Sequence, residues 1–420
     1  MRPESRLAYR QERALDVELA GQPLRLVSRP GFAEWGHISQ AMQLLAARAA
    51  VAPGERALVC PCGHGALGVW AQTHTASRNV LLLDTNLVAT EMARRTLAAN
   101  DCPDVRVEVG LPSEIGGVFD VVMMTLPKGR DLARLWFLEC HAALREGGRF
   151  YLAGPNDGGI KSAIGDAETL YGPSTLLAYK GGNRVVSLVR GSLSADGLPP
   201  MYRAPGLAPG SCATLEVELQ GELYRACTRP GVFSWRSLDS GTRVLLETLQ
   251  VRVTDQVLDI GCGYGIIGLY AAKHAPRGRV TLVDVDALAC ACARMTLAAN
   301  NASGEVLLGD GLAAVAGQRY TLIVSNPPFH HGHEPAYEVA EALVRESHRA
   351  LEPRGRLVLV ANRFLPYDRL MAEVFGSVVP LNRTPQFHVL SAEKAYQRRP
   401  RGKPRRSARD EETIYQIPDR

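Results

Sequence analysis

Three aspartates and one proline-rich loop carry the chemistry this sequence could do. Asp259 stands in VLDIGCGYGIIG, two residues before the first of three spaced glycines, Gly261, Gly263 and Gly265. Glycines let a chain turn sharply and let a ligand approach the backbone closely. The spacing is G-x-G-x-G, not the G-x-G-x-x-G of dinucleotide loops. A carboxylate just ahead of such a loop repels a pyrophosphate and suits a cationic group. Asp284 follows in LVDVD and Asp310 in LLGDG. An acid at the first of these places can accept hydrogen bonds from ribose hydroxyls, and one at the second from an adenine amino group. S-adenosylmethionine (SAM), with its ammonium and sulfonium, satisfies the set better than NAD. The bland alternative is three helix caps or loop acids.

SNPPF at Ser325–Phe329 is the second constellation. Two consecutive prolines have no N–H and stiffen the loop. Their carbonyls and the Asn326 amide oxygen can therefore stand as fixed acceptors. Two acceptors converging on a planar –NH2 would hold it with its nitrogen lone pair aimed at a methyl donor, so that positioning drives an in-line displacement. Phe329 offers a face for a planar base to stack on. Asn326, Pro327, Pro328 and Phe329 are thus the candidate catalytic residues, against the alternative of a structural Asn-Pro turn.

These residues need a scaffold that gathers four loops. QVLDIG, RVTLVDVD, EVLLGDG, YTLIVSN and RLVLVAN are short, apolar, β-branched runs. They alternate with helical patterns such as GIIGLYAAKHA, DALACACARMTLAANN and AYEVAEALVRESHRALEP. The alternation predicts an α/β fold with a doubly wound, mainly parallel sheet. Ligands of such sheets bind outside the C-terminal ends of the strands, so the loops after VLDIG, LVDVD, LLGDG and LIVSN should form one site.

The chain also contains this pattern twice. TLAAN occurs at Thr96–Asn100 and at Thr296–Asn300, an offset of 200 residues. At the same offset VEL, RPG, Trp35/Trp235, CGHG/CGYG, Gly68/Gly268 and Asp84/Asp284 recur. The period is that of a whole domain. The first copy, however, has Val59 opposite Asp259, Pro61 opposite Gly261, Leu111 opposite Asp310 (allowing a one-residue gap) and TLPKG at Thr125–Gly129 opposite SNPPF. It keeps Asp84 and the packing pattern and loses the chemistry, so one copy is expected to work. The expected division is a degenerate domain over 1–196, a Pro/Gly-rich linker over 197–211, a catalytic domain over 212–397 and a basic tail over 398–420.

Bulk properties agree with an ordinary globular protein: 420 residues, 46% hydrophobic and 22% charged. No run of 18 apolar residues suggests a membrane span, and the polar start MRPESRLAYRQER does not read as a secretory signal. The nine cysteines have no zinc-like spacing and read as reduced core thiols of a cytoplasmic protein; no metal is expected. The net charge of +5 matters mostly through RRPRGKPRR at 398–406, six cations without an acid. It reads as a disordered electrostatic arm for nucleic acid or as a solvated tail. Lys161, in GPNDGGIKSA, is a second candidate phosphate contact.

The motif set resembles the class I, Rossmann-like SAM-dependent methyltransferases that modify planar or amide nitrogens. Within them, PGVFS…LDSGTRVLLE, SNPPFHHG and VANRFLPYDRLMAEVFG are similar to the bacterial rRNA guanine-N2 methyltransferases, the small-subunit enzyme and its large-subunit relative. The resemblance spans nearly the whole chain, since that family also carries a degenerate N-terminal copy. It implies that Asn326, Pro327, Pro328 and Phe329 bind the target guanine. It further implies that Asp259, the loop Gly261, Cys262, Gly263 and Gly265, then Asp284, Asp310, Asn326 and Phe233, serve SAM. The HHG that follows the loop leaves the roles of His330 and His331 open; histidines beside a site are more often packing or hydrogen-bonding residues than catalysts. The implied partner is ribosomal RNA or a ribosomal subunit, small rather than large, and the internal pseudo-dimer suits a monomer. The rival readings are methylation of another planar amine or amide (large-subunit rRNA guanine, protein glutamine, DNA adenine), or a non-catalytic RNA-binding assembly factor. A nicotinamide-dependent oxidoreductase fits least.

Overall fold

Each copy folds into its own seven-stranded sheet. In the second, the strand order is Glu305–Leu308, Arg279–Asp284, Gln256–Ile260, Tyr320–Ser325, Leu351–Asn362, Phe387–Glu393, Val379–Arg383. The first five strands run parallel and the last two pair antiparallel. The first copy repeats the order with Arg106–Val109, Val80–Asp84, Ala57–Val59, Phe119–Thr125, Leu144–Pro155, Asn183–Val189 and Thr175–Lys180. The expected doubly wound, mainly parallel architecture is therefore present twice. The computed structural model describes residues 9–32, 34–192, 197–208, 210–327 and 335–396.

The central strands are apolar because helices cover both faces of the sheet. Val257, Leu258, Leu322 and Ile323 are wholly buried, as are Leu58, Val121 and Val122 in the first copy. The nine cysteines are free thiols, and all but Cys212 are buried. Among the described residues, no helix is long and apolar enough to cross a membrane. The expected linker is not a loose tether: Tyr202 is fully buried and donates its O–H to the Asp166 carbonyl at 2.8 Å, and Leu207 is buried as well.

The repeated TLAAN has a structural job. It ends the helices Leu87–Ala99 and Ala287–Ala299, each of which docks a β-hairpin lying outside the sheet. Thr96 both donates to and accepts from the backbone of Val27, and Asn100 does the same with Arg25, at 2.8–3.1 Å. Thr296 and Asn300 repeat this with Cys227 and Arg225. A pair that satisfies an exposed hairpin edge is kept in both copies whether or not the copy is catalytic.

The two copies meet through equivalent loops. Asn86 and Asp286 form an antiparallel bridge. Leu87 N–H donates to the Val285 carbonyl and Ala287 N–H to that of Thr85, both at 2.8 Å. The contact is reciprocal, like that of a twofold dimer joined into one chain. It sits directly after the strands that end in Asp84 and Asp284, and so next to the expected site.

Candidate cofactor and base site

Asp259 lies in strand Gln256–Ile260 with no solvent exposure. Its Oδ2 accepts from the Gly268 N–H at 2.9 Å, while Oδ1 has no hydrogen-bond partner among the described residues. Burial pushes this carboxyl up to about 7, the Gly268 N–H lowers it, and the nearby Asp284 raises it further. A buried carboxylate with an unpartnered oxygen is costly unless a cation or donor completes it. The first copy has apolar Val59 here, also fully buried, which removes the cost along with the acceptor.

The glycines divide into two kinds. A Cβ on Gly265 would lie 2.9 Å from Ala293, and one on Gly268 2.3 Å from Leu282; Gly65 and Gly68 show the same crowding against Ala93 and Leu82. These four are needed for packing helix against strand and helix. Gly261 differs: its φ is +70° and a Cβ there would meet nothing within 4 Å. It is an open backbone surface beside the orphan oxygen of Asp259, and its counterpart is Pro61. Gly263 is nearly as open, with only Val232 near, at 3.8 Å. Cys262, expected to touch the cofactor, spends its N–H on the Val283 carbonyl and its own carbonyl on the Gly265 N–H, and its thiol is buried. Phe233 is 61% exposed, and it is Val232 that faces the loop.

Asp284 accepts from the N–H groups of Gly263 and Asp286 at 2.9 and 3.0 Å; burial pushes it up to about 6. Asp84 makes the same two bonds, to Gly63 and Asn86. Closing this turn explains why the acid survives in the first copy. Asp310 is buried and already paired: Oδ1 accepts from the Tyr9 hydroxyl at 2.9 Å and Oδ2 from Arg29 at 2.9 Å. Arg10 also donates to its carbonyl at 3.0 Å. The first copy thus reaches into the second at the residue expected to face adenine. Each carboxylate oxygen retains a lone pair for a further donor.

Asn326 follows strand Tyr320–Ser325. Its Nδ2 donates to Asp239 Oδ2 at 3.0 Å and to Thr242 Oγ1 at 2.8 Å. A carboxylate can only accept, so these bonds fix which end of the amide is which. Oδ1 is then the free end, buried and without a partner among the described residues. Asp239 caps helix Ser240–Thr248, also accepting from the Thr242 N–H at 2.8 Å. Pro327 is buried beside it; Pro328, Phe329, His330 and His331 lie outside the described residues.

Asp239, Thr242 and Tyr264 join this cluster, although the sequence motifs assign them no part in it. The last is buried in the glycine loop with its O–H unpartnered among the described residues, and its pKa is raised by burial and by Asp239. Asp239 and Thr242 open the helix Ser240–Thr248, a place where such residues are ordinary. The signal lay in the repeat: the first copy has Ser39, Met42 and Leu126 at the three positions, losing the anchors together with the amide.

The whole arrangement sets unpartnered acceptors and open backbone beside a fixed amide acceptor, at the C-terminal edge of a doubly wound sheet. The chain is similar to known proteins. The family model Methyltransferase small domain matches twice, over residues 23–186 and 223–391. Ribosomal RNA small subunit methyltransferase C of Pseudomonas putida (strain W619) is 37% identical over 62% of this chain and 75% of its own; that of Cronobacter sakazakii is 35% identical over 67% and 77%. The chain belongs to this methyltransferase family. A solved structure of the T. thermophilus 16S rRNA N2 guanine methyltransferase (RsmC), in complex with AdoMet and guanosine, superposes with a TM-score of 0.74 at 30% identity, over 93% of this chain and 100% of that one. The protein is a class I, SAM-dependent methyltransferase. Its residues fit that cofactor: the unpartnered Asp259 oxygen suits the ammonium, and open Gly261 leaves room beside it.

Proposed function

We propose that this chain methylates the exocyclic N2 amine of a guanine in small-subunit ribosomal RNA. SAM, when bound, supplies an electrophilic methyl on a sulfonium. Asp259 and the open backbone at Gly261 hold the amino-acid end, Asp284 the ribose and Asp310 the adenine side. The observation that carries the substrate reading is the Asn326 amide. With both its hydrogens spent on Asp239 and Thr242, its oxygen is a rigid acceptor for one N–H of a planar amine. The prolines that follow supply a carbonyl acceptor without competing donors, and Phe329 a stacking face. Holding the amine in line lets its lone pair attack, and the proton leaves afterward to solvent, so no strong base is needed. A guanine stacked in a helix does not reach such a pocket. The base must be exposed or flipped, at a cost of roughly a few kcal/mol.

The division we favour is a degenerate domain to residue 196, a linker over 197–211, a catalytic domain over 212–397 and a basic tail from 398. The degenerate domain supports the site and docks RNA, with exposed Lys161 as one phosphate contact. The joined pseudo-dimer suits a monomer, working in the cytoplasm where ribosomes mature. The test is methyl transfer from labelled SAM to small subunits and naked 16S rRNA, with product nucleosides identified. N2-methylguanosine is expected. Asn326→Ala should cut turnover by about 100-fold, as for loss of one fixed polar contact to the reacting group, with SAM affinity kept. Lost SAM binding in that variant would sink the assigned role.

A further inference from the structure

The second copy's sheet has another edge, opposite the candidate site, and that edge is rich in arginine. Strands Arg279–Asp284, Gln256–Ile260, Tyr320–Ser325 and Leu351–Asn362 start there, and the antiparallel Phe387–Glu393 ends there. At these ends stand Arg252, Arg277, Arg279, Arg319, Arg349 and Arg354, all exposed. None of the six is in an ion pair among the described residues. Five neighbouring strands, each about 4.8 Å from the next, make the edge roughly 20 Å long.

Bonds between the strand ends join the six into one surface. Arg277 N–H donates to the Val253 carbonyl at 3.0 Å, beside Arg252. Arg279 Nη2 donates to Gln318 Oε1 at 3.0 Å, and Arg319 Nη1 to the carbonyl of the same glutamine at 3.2 Å. Lys394 Nζ donates to the Leu351 carbonyl at 2.7 Å and reaches that of Arg349 at 3.5 Å; its own carbonyl accepts from the Arg354 N–H at 2.9 Å. Burial and the charge of Arg319 hold the Lys394 ammonium below its ordinary value. Burial also lowers Arg356, where Arg252 works against the attraction of Asp255, 3.4 Å away. Like charges crowded in this way repel one another in the free protein, and an anionic partner relieves them.

Exposed Glu305, Glu352 and Glu393 share these strand ends without pairing to the arginines. They dilute the positive charge and do not cancel it. The matching edge of the first copy also holds arginines. There Arg106, Arg145 and Arg149 are ion-paired, to Glu108, Asp120 and Glu55, whereas Arg56, Arg78 and Arg190 are not. The copies thus differ in degree, and the second has the surplus. Sequence continuity adds to it. Tyr396 lies just past Glu393, its ring centroid 5.8 Å from Arg354. The chain leaves from this edge, and the next stretch is RRPRGKPRR at 398–406, six cations without an acid.

We propose that this edge is a second RNA-binding surface, holding phosphates of the folded rRNA at the pole of the second copy opposite the base site. All six residues are arginine rather than lysine, and a planar guanidinium matches a phosphate bidentately. Strands of five or six residues put the two edges roughly 20 Å apart, so one folded RNA can touch both. The assignment rests on the reading that the substrate is RNA, and not on which base is methylated.

The test measures binding of the full-length protein to 16S rRNA across a salt series, with methyl transfer, SAM affinity and melting alongside. Arg277→Ala, Arg319→Ala and Arg349→Ala combined in one variant should lower the salt slope by about two to three. The KM for RNA should rise several-fold, with SAM affinity and melting unchanged. The same three positions changed to lysine should keep the slope, since the charge is kept. Glu352→Gln should tighten RNA binding, which a folding defect does not do. An unchanged slope in the alanine variant, or a Glu352→Gln protein that binds RNA no better, overturns the surface. So does an alanine variant that keeps its RNA binding and loses binding to phosphatidylglycerol vesicles, since the edge would then face a membrane. If the alanine variant lowers the slope but the wild type makes no N2-methylguanosine, the guanine reading fails and the RNA surface stands.

Discussion

Asp259 shows how one residue couples fold to ligand. Without a cation beside it, burial pushes its carboxyl up to about 7, well above the unfolded value near 3.9. The native state then binds a proton that the unfolded state does not, so this group's contribution to stability falls as pH rises from about 4 to about 7. A ligand ammonium reverses the preference by favouring the ionised form. SAM affinity should therefore climb as pH rises, about five-fold between roughly 6 and 7, a range in which Asp284, itself near 6, completes its ionisation. It should level once Asp259 is charged, and decline near 8 as an α-amino group loses its proton. Calorimetric titration across that range checks it. Asp259→Asn should flatten the rise, whereas Asp84→Asn, on the copy without the pocket, should leave it intact. A flat wild-type profile would mean that Asp259 does not face the cofactor. The sequence made this acid legible through its place before the glycines, but not its single oxygen without a partner among the described residues.

At the scale of elements, the helix Ser240–Thr248 does more than cover the sheet. Its cap, Asp239, and first-turn Thr242 share the Asn326 amide hydrogens, so the helix start sets the orientation of that amide and of its free oxygen. Thr242→Ala removes one of two anchors and lets the amide turn, which should lower kcat about five-fold with SAM affinity unchanged, since one ordinary hydrogen bond is worth about 1 kcal/mol. Thr242→Ser should restore the rate, since it returns the hydroxyl. Steady-state kinetics of the two variants decide it, and an Ala variant as fast as wild type would leave Asp239 as the sole anchor. The strands and helices themselves were readable, because apolar alternation reports the local period directly. The Asp239–Asn326 contact was not, because it joins residues 87 apart and each looked locally complete. An aspartate before a helix already has a job as a cap. Setting the second copy against the first reveals the second job, since Ser39 still caps its helix, accepting from Met42 N–H at 3.2 Å, without any amide to hold.

For the molecule as a whole, the first copy reaches into the second at one of its candidate site residues, Asp310. Arg29 lies 281 residues from Asp310 and is bonded to it at 2.9 Å, both side chains over nine-tenths buried. No local pattern announces such a pair; in the sequence Arg29 stands only as part of the duplicated RPG. Its counterpart Arg229 turns instead to the Gly206 carbonyl and lies 4.0 Å from Glu139, so the two halves have diverged at this contact as they have in chemistry. Removing one partner of a buried pair leaves a charge without compensation, which costs about 3 kcal/mol. Arg29→Ala should thus lower the melting temperature, and because Tyr9 and Arg10 alone then orient Asp310, it should also weaken SAM binding several-fold. Thermal denaturation with a parallel SAM titration separates the contributions. A lower melting point with full SAM affinity would make Arg29 a tie between domains only. If both fall, the copy that lost its own pocket still helps build its twin's, which gives selection a reason to retain a whole domain without chemistry.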